Sequence, residues 1–458
     1  MRGFARCPND RPVTRKLILV VIDGLTPSML ERALERGSLE AIGAVAERGD
    51  SGRAVTVFPS LTPVCLSSLA TGAYPDVHEI PHLVWWHRRE ERLVEYGSSF
   101  GAARAAGLGR TLRDTLVGMN AEHLGRGATT VFEALADAGL VTAAVNFMAY
   151  RGRTTHRTAL PFLGEVSAPE RFFFYNLFES ERTGAPLSFR NRAAGTIDAY
   201  AAAVGRWLVT RDAFDFFLLY LSDYDYASHA LGPDTAHDVL DRCDAALGAL
   251  VEAAGGVDAL LERYALMIVA DHGQTRVDHV TDLRRVYRGV DGVLATASNR
   301  AGMVYALGGC SLDAAGLASR LDGNPAVDVV LFRDGDEAVA RRDGEELRFA
   351  PAGAGFEVAG DAGLLDHPDA LRRSWAALAC PNAGDVLVSA ALGWEFSDLG
   401  GGHHRGGGSH GSLLTADSEV PVIVAGISEL PTRVVDVAPA ILRHFGVALP
   451  HYVSDRAA

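Results

Sequence analysis

Four segments of the sequence are almost wholly apolar and rich in branched side chains, which restricts the fold more than any other feature. They lie at residues 17–22, 214–221, 265–270 and 420–425. Apolar runs of this length without polar alternation are typical of strands in a parallel sheet that is covered on both faces. Amphipathic helical patterns lie between them, at 130–138, 196–209 and 237–254. The alternation predicts an α/β fold with a mostly parallel central sheet sandwiched by helices.

The section from 275 to 394 has a different pattern. Its strand-like pieces are short and lie at 302–307, 327–332 and 346–349. Asp334-Gly335 and Asp343-Gly344 predict hairpin turns between such pieces. This pattern predicts a smaller α+β subdomain inserted into the chain.

The predicted domain organisation follows from this change of pattern. We expect the main domain to consist of residues 1–274 and 395–458, and the inserted subdomain to span 275–394. Residues 81–128 are rich in arginine, glycine and tryptophan. They are expected to form a loop-rich excursion near the functional site.

Charge and cysteine usage limit the partners and the compartment. The net charge of −14 argues against a nucleic-acid polymer or an anionic membrane as a partner. It leaves room for a small anionic substrate, because a bound dication dominates its local field. The five cysteines are scattered and form no CxxC pair, and no apolar leader precedes the first strand. We therefore expect a reducing, cytoplasmic location.

Acidic residues and histidines follow three of the predicted strands, at the ends where the strands finish. They are Asp23, Asp225, His229, Asp271 and His272. A glycine-rich tract with three histidines, at 400–411, precedes the last strand. Ligand sites in parallel sheets form at the carboxyl ends of strands, so we expect these side chains to converge there.

Thr62 lies at a sharp turn between a strand predicted at 54–58 and a helix that follows Pro63. A threonine at a helix start is most often a cap, and its hydroxyl needs a base or a metal ion to become a nucleophile. The converging carboxylates and imidazoles suit zinc, with manganese as the alternative. Two such ions at one site would supply the activation, so we predict that Thr62 is the nucleophile.

These residues stand in a series of motifs that spans most of the chain. The motifs are Val20-Val-Ile-Asp-Gly24, Phe58-Pro-Ser-Leu-Thr62, Ala70-Thr-Gly-Ala-Tyr-Pro-Asp-Val-His78, residues 220–233, Ala270-Asp-His-Gly273 and Ser409-His-Gly411. The series resembles the alkaline phosphatase superfamily, and most closely its nucleotide pyrophosphatase/phosphodiesterase branch. The resemblance implies an alkaline phosphatase-like fold and two metal ions. By it, one ion would be held by Asp23, Thr62, Asp271 and His272, and the other by Asp225, His229 and His410.

The substrate contacts are less well defined by the resemblance. Cys65 stands where the family pattern has an asparagine, which leaves the phosphoryl contacts open. His404 and Arg405, in the glycine-rich tract, are candidates for substrate or phosphate contact. The remaining candidates are Tyr74, Trp85 and His87.

The resemblance implies a metal-dependent phosphoryl-transfer hydrolase. We expect a phosphodiesterase or nucleotide pyrophosphatase that acts through a phosphothreonine intermediate on Thr62. A phosphomonoesterase and a C–P hydrolase similar to phosphonoacetate hydrolase are alternatives on the same site. A sulfatase is disfavoured because Cys65 lacks the proline and arginine that a formylglycine precursor requires. The alternative outside enzymes is a catalytically silent metal- or phosphate-binding protein.

Overall fold

A computed structural model describes residues 15–158, 160, 163–175, 177–181 and 196–457. The strands of this part of the chain are β1 (Lys16–Ile22), β2 (Asp50–Val55), β3 (Val84–His87), β4 (Arg92–Glu95), β5 (Thr142–Val145), β6 (Thr154–Arg157), β7 (Glu165–Ala168), β8 (Arg171–Phe174), β9 (Phe178–Ser180), β10 (Phe216–Leu221), β11 (Tyr264–Val269), β12 (Thr275–Arg276), β13 (His279–Thr281), β14 (Val293–Ser298), β15 (Ala301–Ala306), β16 (Val327–Asp334), β17 (Glu337–Arg342), β18 (Glu345–Ala352), β19 (Gly355–Gly360), β20 (Val386–Ala390), β21 (Trp394–Phe396), β22 (Gly408–Ser409) and β23 (Glu419–Ala425).

The α-helices of the same residues are α1 (Pro27–Glu35), α2 (Glu40–Ala46), α3 (Thr62–Thr71), α4 (Pro75–His78), α5 (Phe100–Ala106), α6 (Leu108–Arg113), α7 (Val131–Asp137), α8 (Ile197–Arg211), α9 (Asp223–Leu231), α10 (His237–Ala254), α11 (Val257–Arg263), α12 (Ala314–Ser319), α13 (Ala370–Ala379), α14 (Thr415–Ser418), α15 (Val437–His444) and α16 (His451–Ala457). A π-helical stretch spans Asp114–His123, and short 3-10 turns lie at Leu283–Tyr287, Ala362–Leu365 and Val434–Asp436. None of the described helices is long and apolar enough to cross a membrane.

The central sheet has eight strands in the order β2-β23-β11-β1-β10-β5-β8-β9. Five neighbouring strands, from β11 to β8, run parallel, whereas β23 is antiparallel to both β11 and β2. Every residue of β10 and β11 is buried, as expected for strands with helices on both faces. The predicted α/β class and mostly parallel sheet are therefore confirmed.

The direction of β23 decides where the glycine-rich tract lies. Because β23 is antiparallel to β11, its first residue is at the same sheet edge as the carboxyl ends of β1, β10 and β11. The tract at 400–411 leads into this edge through α14. His410 of the tract therefore approaches Asp225, which follows β10, and His404 stacks on His229.

The strand predicted at 54–58 is displaced along the chain. The structure forms β2 at Asp50–Val55, at the edge of the sheet and paired only with β23. Its first residues are polar and exposed, which is typical of an edge strand. A prediction based on apolar runs therefore does not detect this strand. At Thr56 the chain bonds to Ser418 instead, and it then turns towards α3.

A second, antiparallel sheet lies between residues 293 and 390, inside the predicted insert. Its strand order is β14-β15-β20-β16-β17-β18-β19. Asp343 and Gly344 both have left-handed backbones and form the predicted tight turn between β17 and β18. We retain the limits 275–394 for the insert as a proposal.

One hairpin of the second sheet reaches into the main domain. Between β14 and β15, the fully buried Arg300 donates through Nε to Asp417 Oδ2 at 2.9 Å. The Arg300 backbone N–H also donates to the His410 carbonyl at 2.8 Å. The two sheets are thus joined next to the glycine-rich tract.

Residues 81–128 are more regular than the predicted loop-rich excursion. They contain the β3–β4 hairpin, α5, α6 and the π-helical stretch. Buried contacts order this region: Trp85 has no exposed surface, the Tyr96 hydroxyl and His123 Nδ1 share a hydrogen bond of 2.7 Å, and Arg92 pairs with Asp114 at 2.5 Å. The region thus contains more regular structure than its composition indicates, because composition alone does not reveal these long-range pairs.

Candidate active site

Thr62 is the first residue of α3 and stands at the carboxyl edge of the central sheet. The cap position before it is Leu61, in an extended conformation, and Pro63 occupies the first turn. The Thr62 side chain is half-buried, and its Oγ1 lies 3.1 Å from His272 Nε2. The hydroxyl therefore points to other functional side chains instead of capping the helix.

Asp23, Asp271 and His272 form the first group of acidic and imidazole side chains. His272 Nε2 lies 3.3 Å from Asp23 Oδ1 and 3.5 Å from Asp271 Oδ2. All three side chains are buried, and their ligand atoms lie within 4.8 Å of one another. Such a group could hold a metal ion next to Thr62.

The charges of this first group are not balanced by the described side chains. Burial, followed by the nearby carboxylates of Asp271 and Asp225, raises the pKa of Asp23 well above its usual range. Asp23 Oδ1 and Asp271 Oδ2 are buried without a hydrogen-bond partner in the described residues. Unpaired buried carboxylate oxygens are costly, and a divalent cation between them would remove the cost. The donor set therefore fits a metal ion.

Asp225, His229 and His410 form the second group, whose ligand atoms also lie within 4.8 Å of one another. Asp225 and His229 are four residues apart on α9, so they share one helix face, and His229 Nε2 is 3.2 Å from Asp225 Oδ2. His410 comes from the glycine-rich tract, and its Nε2 is 4.0 Å from Asp225 Oδ1. The His410 ring stacks on His272 with centroids 3.6 Å apart, which places the two groups side by side.

The imidazole rings of the two groups, those of His229, His272 and His410, are oriented in the same way. Nδ1 donates to a backbone carbonyl in each: His229 to Gly408 at 2.8 Å, His410 to Ser60 at 2.8 Å, and His272 to Gly273 at 3.1 Å. A carbonyl can only accept, so Nδ1 carries the hydrogen and Nε2 keeps its lone pair for a ligand when the ring is neutral. Burial, with the neighbouring His272, lowers the pKa of His410 well below its usual range and keeps that ring neutral.

Glycine is required at two places in this packing. Gly24 has φ +68°, and a Cβ there would lie 2.5 Å from Gln274 Nε2 and 2.7 Å from Asp225 Oδ1. In the glycine-rich tract, a Cβ on Gly407 would lie 1.8 Å from the His229 carbonyl oxygen. The buried end of the tract is therefore fitted against α9 and is not a free linker.

Comparison with known protein families agrees with this geometry. The family model for type I phosphodiesterase / nucleotide pyrophosphatase matches residues 17–413, which is most of the chain. The chain belongs to this family. A search of curated protein sequences finds no match.

The fold of this phosphodiesterase family member is also that of solved structures. Phosphonoacetate hydrolase from Sinorhizobium meliloti, in complex with phosphonoformate, is 20% identical, with a TM-score of 0.62 and coverage of 94% of this chain and 96% of that one. Murine ectonucleotide pyrophosphatase/phosphodiesterase 5 is 14% identical, with a TM-score of 0.62 and coverage of 95% and 96%. The human form of that protein is 15% identical, with a TM-score of 0.59 and the same coverage. These likenesses agree with the expected alkaline phosphatase-like fold.

The candidate site of this family member opens into a cavity of about 560 Å³, lined by Thr62 and members of both side-chain groups. His404 also lines it: its ring stacks on His229 with centroids 3.9 Å apart, and its Nδ1 is 2.6 Å from Glu395 Oε1. Arg405 is exposed, donates to the Asp278 carbonyl at 3.1 Å and does not line the cavity. Of these two candidates, only His404 is placed to meet a substrate.

The other four predicted substrate contacts are absent from the lining of this cavity. Cys65 is fully buried and accepts from the Thr56 hydroxyl at 3.3 Å, because the turn of α3 directs it into the core. The Tyr74 hydroxyl donates to Asp369, 3.4 Å away. Trp85 is buried among other side chains, and His87 stacks on it with centroids 5.4 Å apart.

Two asparagines in the cavity were missed by the sequence reasoning. Asn299, between β14 and β15, has φ +56° and donates through Nδ2 to His410 Nε2 at 2.9 Å. Asn146 follows β5 with φ +59° and is also buried. A left-handed backbone at a non-glycine residue often marks a functional position. For Asn146 a signal was available, since it directly follows a largely apolar run at 141–145. The sequence gives no comparable signal for Asn299.

Proposed function

We propose that this protein is a metal-dependent phosphoryl-transfer hydrolase that acts on phosphodiesters, with Thr62 as its nucleophile. The observation that carries the proposal is the position of the Thr62 hydroxyl, 3.1 Å from His272, at the junction of two buried groups of carboxylates and imidazoles. A hydroxyl needs such surroundings to attack phosphorus at neutral pH. Family membership supports the same reaction class.

We assign one divalent ion to Asp23, Thr62, Asp271 and His272, and a second to Asp225, His229 and His410. Oxygen and imidazole ligands without thiolates favour zinc, with manganese as the alternative. Bound at these positions, the two ions would lower the pKa of the Thr62 hydroxyl and neutralise charge on the phosphoryl and leaving oxygens.

In this proposal Thr62 acts through a two-step displacement. Its hydroxyl gives its proton to solvent water, and its oxygen attacks phosphorus in line while the bond to the leaving alkoxide breaks. The alkoxide leaves as such or takes up a proton from solvent. The resulting phosphothreonine keeps the second ester substituent. Water then attacks the same phosphorus, which releases the product and restores the Thr62 hydroxyl. The contribution of the protein is mainly to position the groups and to stabilise charge.

Metal removal together with a substrate panel tests the proposed function. We expect the loaded protein to hold two ions per chain and to hydrolyse bis(4-nitrophenyl) phosphate faster than 4-nitrophenyl phosphate. The described lining of the cavity contains no lysine or arginine to meet the extra charge of the monoester. Chelation should abolish both activities, and zinc or manganese should restore them. Turnover that survives complete metal removal, or no turnover with both sites filled, would contradict the proposal.

Asn299 supplies an amide donor in this scheme. If His410 Nε2 is engaged as a ligand, it cannot accept the Asn299 N–H, and the amide becomes free to bond a phosphoryl oxygen. We expect Asn299→Leu to lower kcat about 100-fold with little change in KM, as for the loss of one donor to a developing negative charge. The metal content, measured by inductively coupled plasma mass spectrometry, should not change. An unchanged kcat, or loss of an ion, would rule out this role.

The cytoplasmic location also stays a proposal. It rests on the described cysteines, all of which are free: Cys65, Cys243, Cys310 and Cys380. Cell fractionation tests it, and recovery of the protein outside the cytoplasm would contradict it.

A further inference from the structure

The cavity next to Thr62 has an apolar part large enough for the organic group of a substrate. The whole cavity has a volume of about 560 Å³, which lies in the range of small-molecule sites. The apolar side chains come from α3, from the region 81–128 and from the ends of β5 and β8. They are Leu66, Leu83, Leu116, Met148, Phe174 and Leu177.

The carboxylates and imidazoles that line the cavity belong to the two side-chain groups beside Thr62 or, in the case of His404, stack on one of them. The carboxylates and imidazoles of the lining are Asp23, Asp225, His229, His404 and His410. Among the described residues, no lysine or arginine lines the cavity. A carboxylate or a second phosphoryl group among the apolar side chains would lose water without gaining a counter-charge, which disfavours its binding there.

Neutral hydrogen-bonding groups are present in the cavity wall instead. Asn146 is 1% exposed, and its Oδ1 accepts from the Tyr175 backbone N–H at 3.0 Å. That N–H can only donate, so the orientation of the amide is fixed and Nδ2 is left as a donor. Nδ2 has no hydrogen-bond partner in the described part of the chain, and neither has the buried Thr115 Oγ1. Both residues line the cavity.

Buried polar groups in native proteins are nearly always hydrogen-bonded, so an unpaired amide in a cavity wall points to a missing acceptor. A carbonyl, ether or hydroxyl oxygen of a bound molecule would satisfy it, and so would a carboxylate. The carboxylate differs in also bringing a negative charge, which no described cation of the lining would neutralise.

We propose that this cavity selects a single-phosphoryl ester of an uncharged organic group, which packs on the apolar side chains and accepts a hydrogen bond from Asn146. The inference rests on the proposed function and narrows its substrate class. It disfavours carboxylate-bearing phosphonates and substrates with a second charged phosphoryl group.

A matched pair of substrates tests the charge rule. Methyl 4-carbamoylphenyl phosphate carries a neutral amide at the position where methyl 4-carboxyphenyl phosphate carries a carboxylate. We expect at least about tenfold tighter binding of the amide by Thr62→Ala, measured by calorimetry, and a similar ratio of kcat/KM in the wild type. Equal or tighter binding of the carboxylate, or phosphonoacetate as the best substrate of the wild type, would overturn the inference.

A second variant tests the role of Asn146. Asn146→Leu keeps the size of the side chain and removes the donor. We expect it to weaken binding of the carbamoyl ester about tenfold and to leave binding of the unsubstituted phenyl ester nearly unchanged. Asn382→Leu is the control: Asn382 Nδ2 donates to the Glu79 carbonyl at 2.9 Å, outside the cavity lining. An equal effect of Asn146→Leu on both esters would reject the role of Asn146.

The two proposals fail in different ways. If none of the esters is turned over by the metal-loaded protein, the proposed function fails, while calorimetry still measures the preference of the cavity. If the esters are turned over but the carboxylate is preferred, the hydrolase stands and the substrate class is wrong.

Discussion

Replacement of Thr62 by alanine is expected to lower kcat/KM for an aryl phosphodiester by at least about 10³-fold, because the variant has no oxygen to attack phosphorus. The carboxylates and imidazoles of the two groups are untouched by the substitution. Metal content should therefore stay close to that of the wild type. Steady-state kinetics with elemental analysis of the same samples measures both quantities.

Thr62→Ser is the matched control, since it keeps the hydroxyl and removes only the methyl group. It should retain far more activity than Thr62→Ala at equal metal content. If Thr62→Ala keeps substantial activity, Thr62 is not the nucleophile. If it loses an ion and its activity together, the result does not separate the nucleophile from a ligand, and the trapping measurement described below decides.

Asp417→Asn is expected to lower the free energy of unfolding by about 3–5 kcal/mol, because it leaves the buried Arg300 charge unpaired. Both side chains are fully buried, and Asp417 Oδ2 accepts from Arg300 Nε at 2.9 Å. The same oxygen accepts from Ser412 N at 2.9 Å and Ser412 Oγ at 2.6 Å. Urea unfolding measures the change as a lower midpoint.

A surface ion pair supplies the comparison. Arg32 Nη2 lies 2.5 Å from Asp234 Oδ1, and the two side chains are 41% and 69% exposed. Asp234→Asn should therefore change the free energy of unfolding by less than about 1 kcal/mol. A similarly small effect of Asp417→Asn would show that the Arg300–Asp417 pair contributes little to joining the two sheets.

The sequence predicts the central sheet and the two side-chain groups well, for a physical reason. Buried parallel strands need continuous apolar runs, and the residue after each run must lie at the carboxyl edge. Asp23 and Asp271 were therefore placed by the strand pattern alone. His410 was different: it precedes a strand, and only the antiparallel direction of β23 brings it to that edge. The resemblance to the family supplied what the pattern could not.

The lining of the cavity could not be predicted from the sequence, because it depends on the direction of side chains and on long-range packing. In α3, Cys65 turns into the core while Leu66, one residue later, lines the cavity. Trp85 was a candidate substrate contact, but its side chain is fully buried within the region 81–128. Asn299 comes from a hairpin of the insert whose Arg300 pairs with Asp417 of the main domain, and no local pattern around Asn299 signals its contact with His410.

The most direct test of the central claim is to trap the covalent intermediate. The metal-loaded wild type would be mixed with bis(4-nitrophenyl) phosphate, quenched in acid within the first turnover and mapped by peptide mass spectrometry. We expect a 4-nitrophenyl phosphoryl group on Thr62, absent after chelation and absent from Thr62→Ala. A burst of 4-nitrophenolate without this adduct, or with the adduct on another residue, would contradict it.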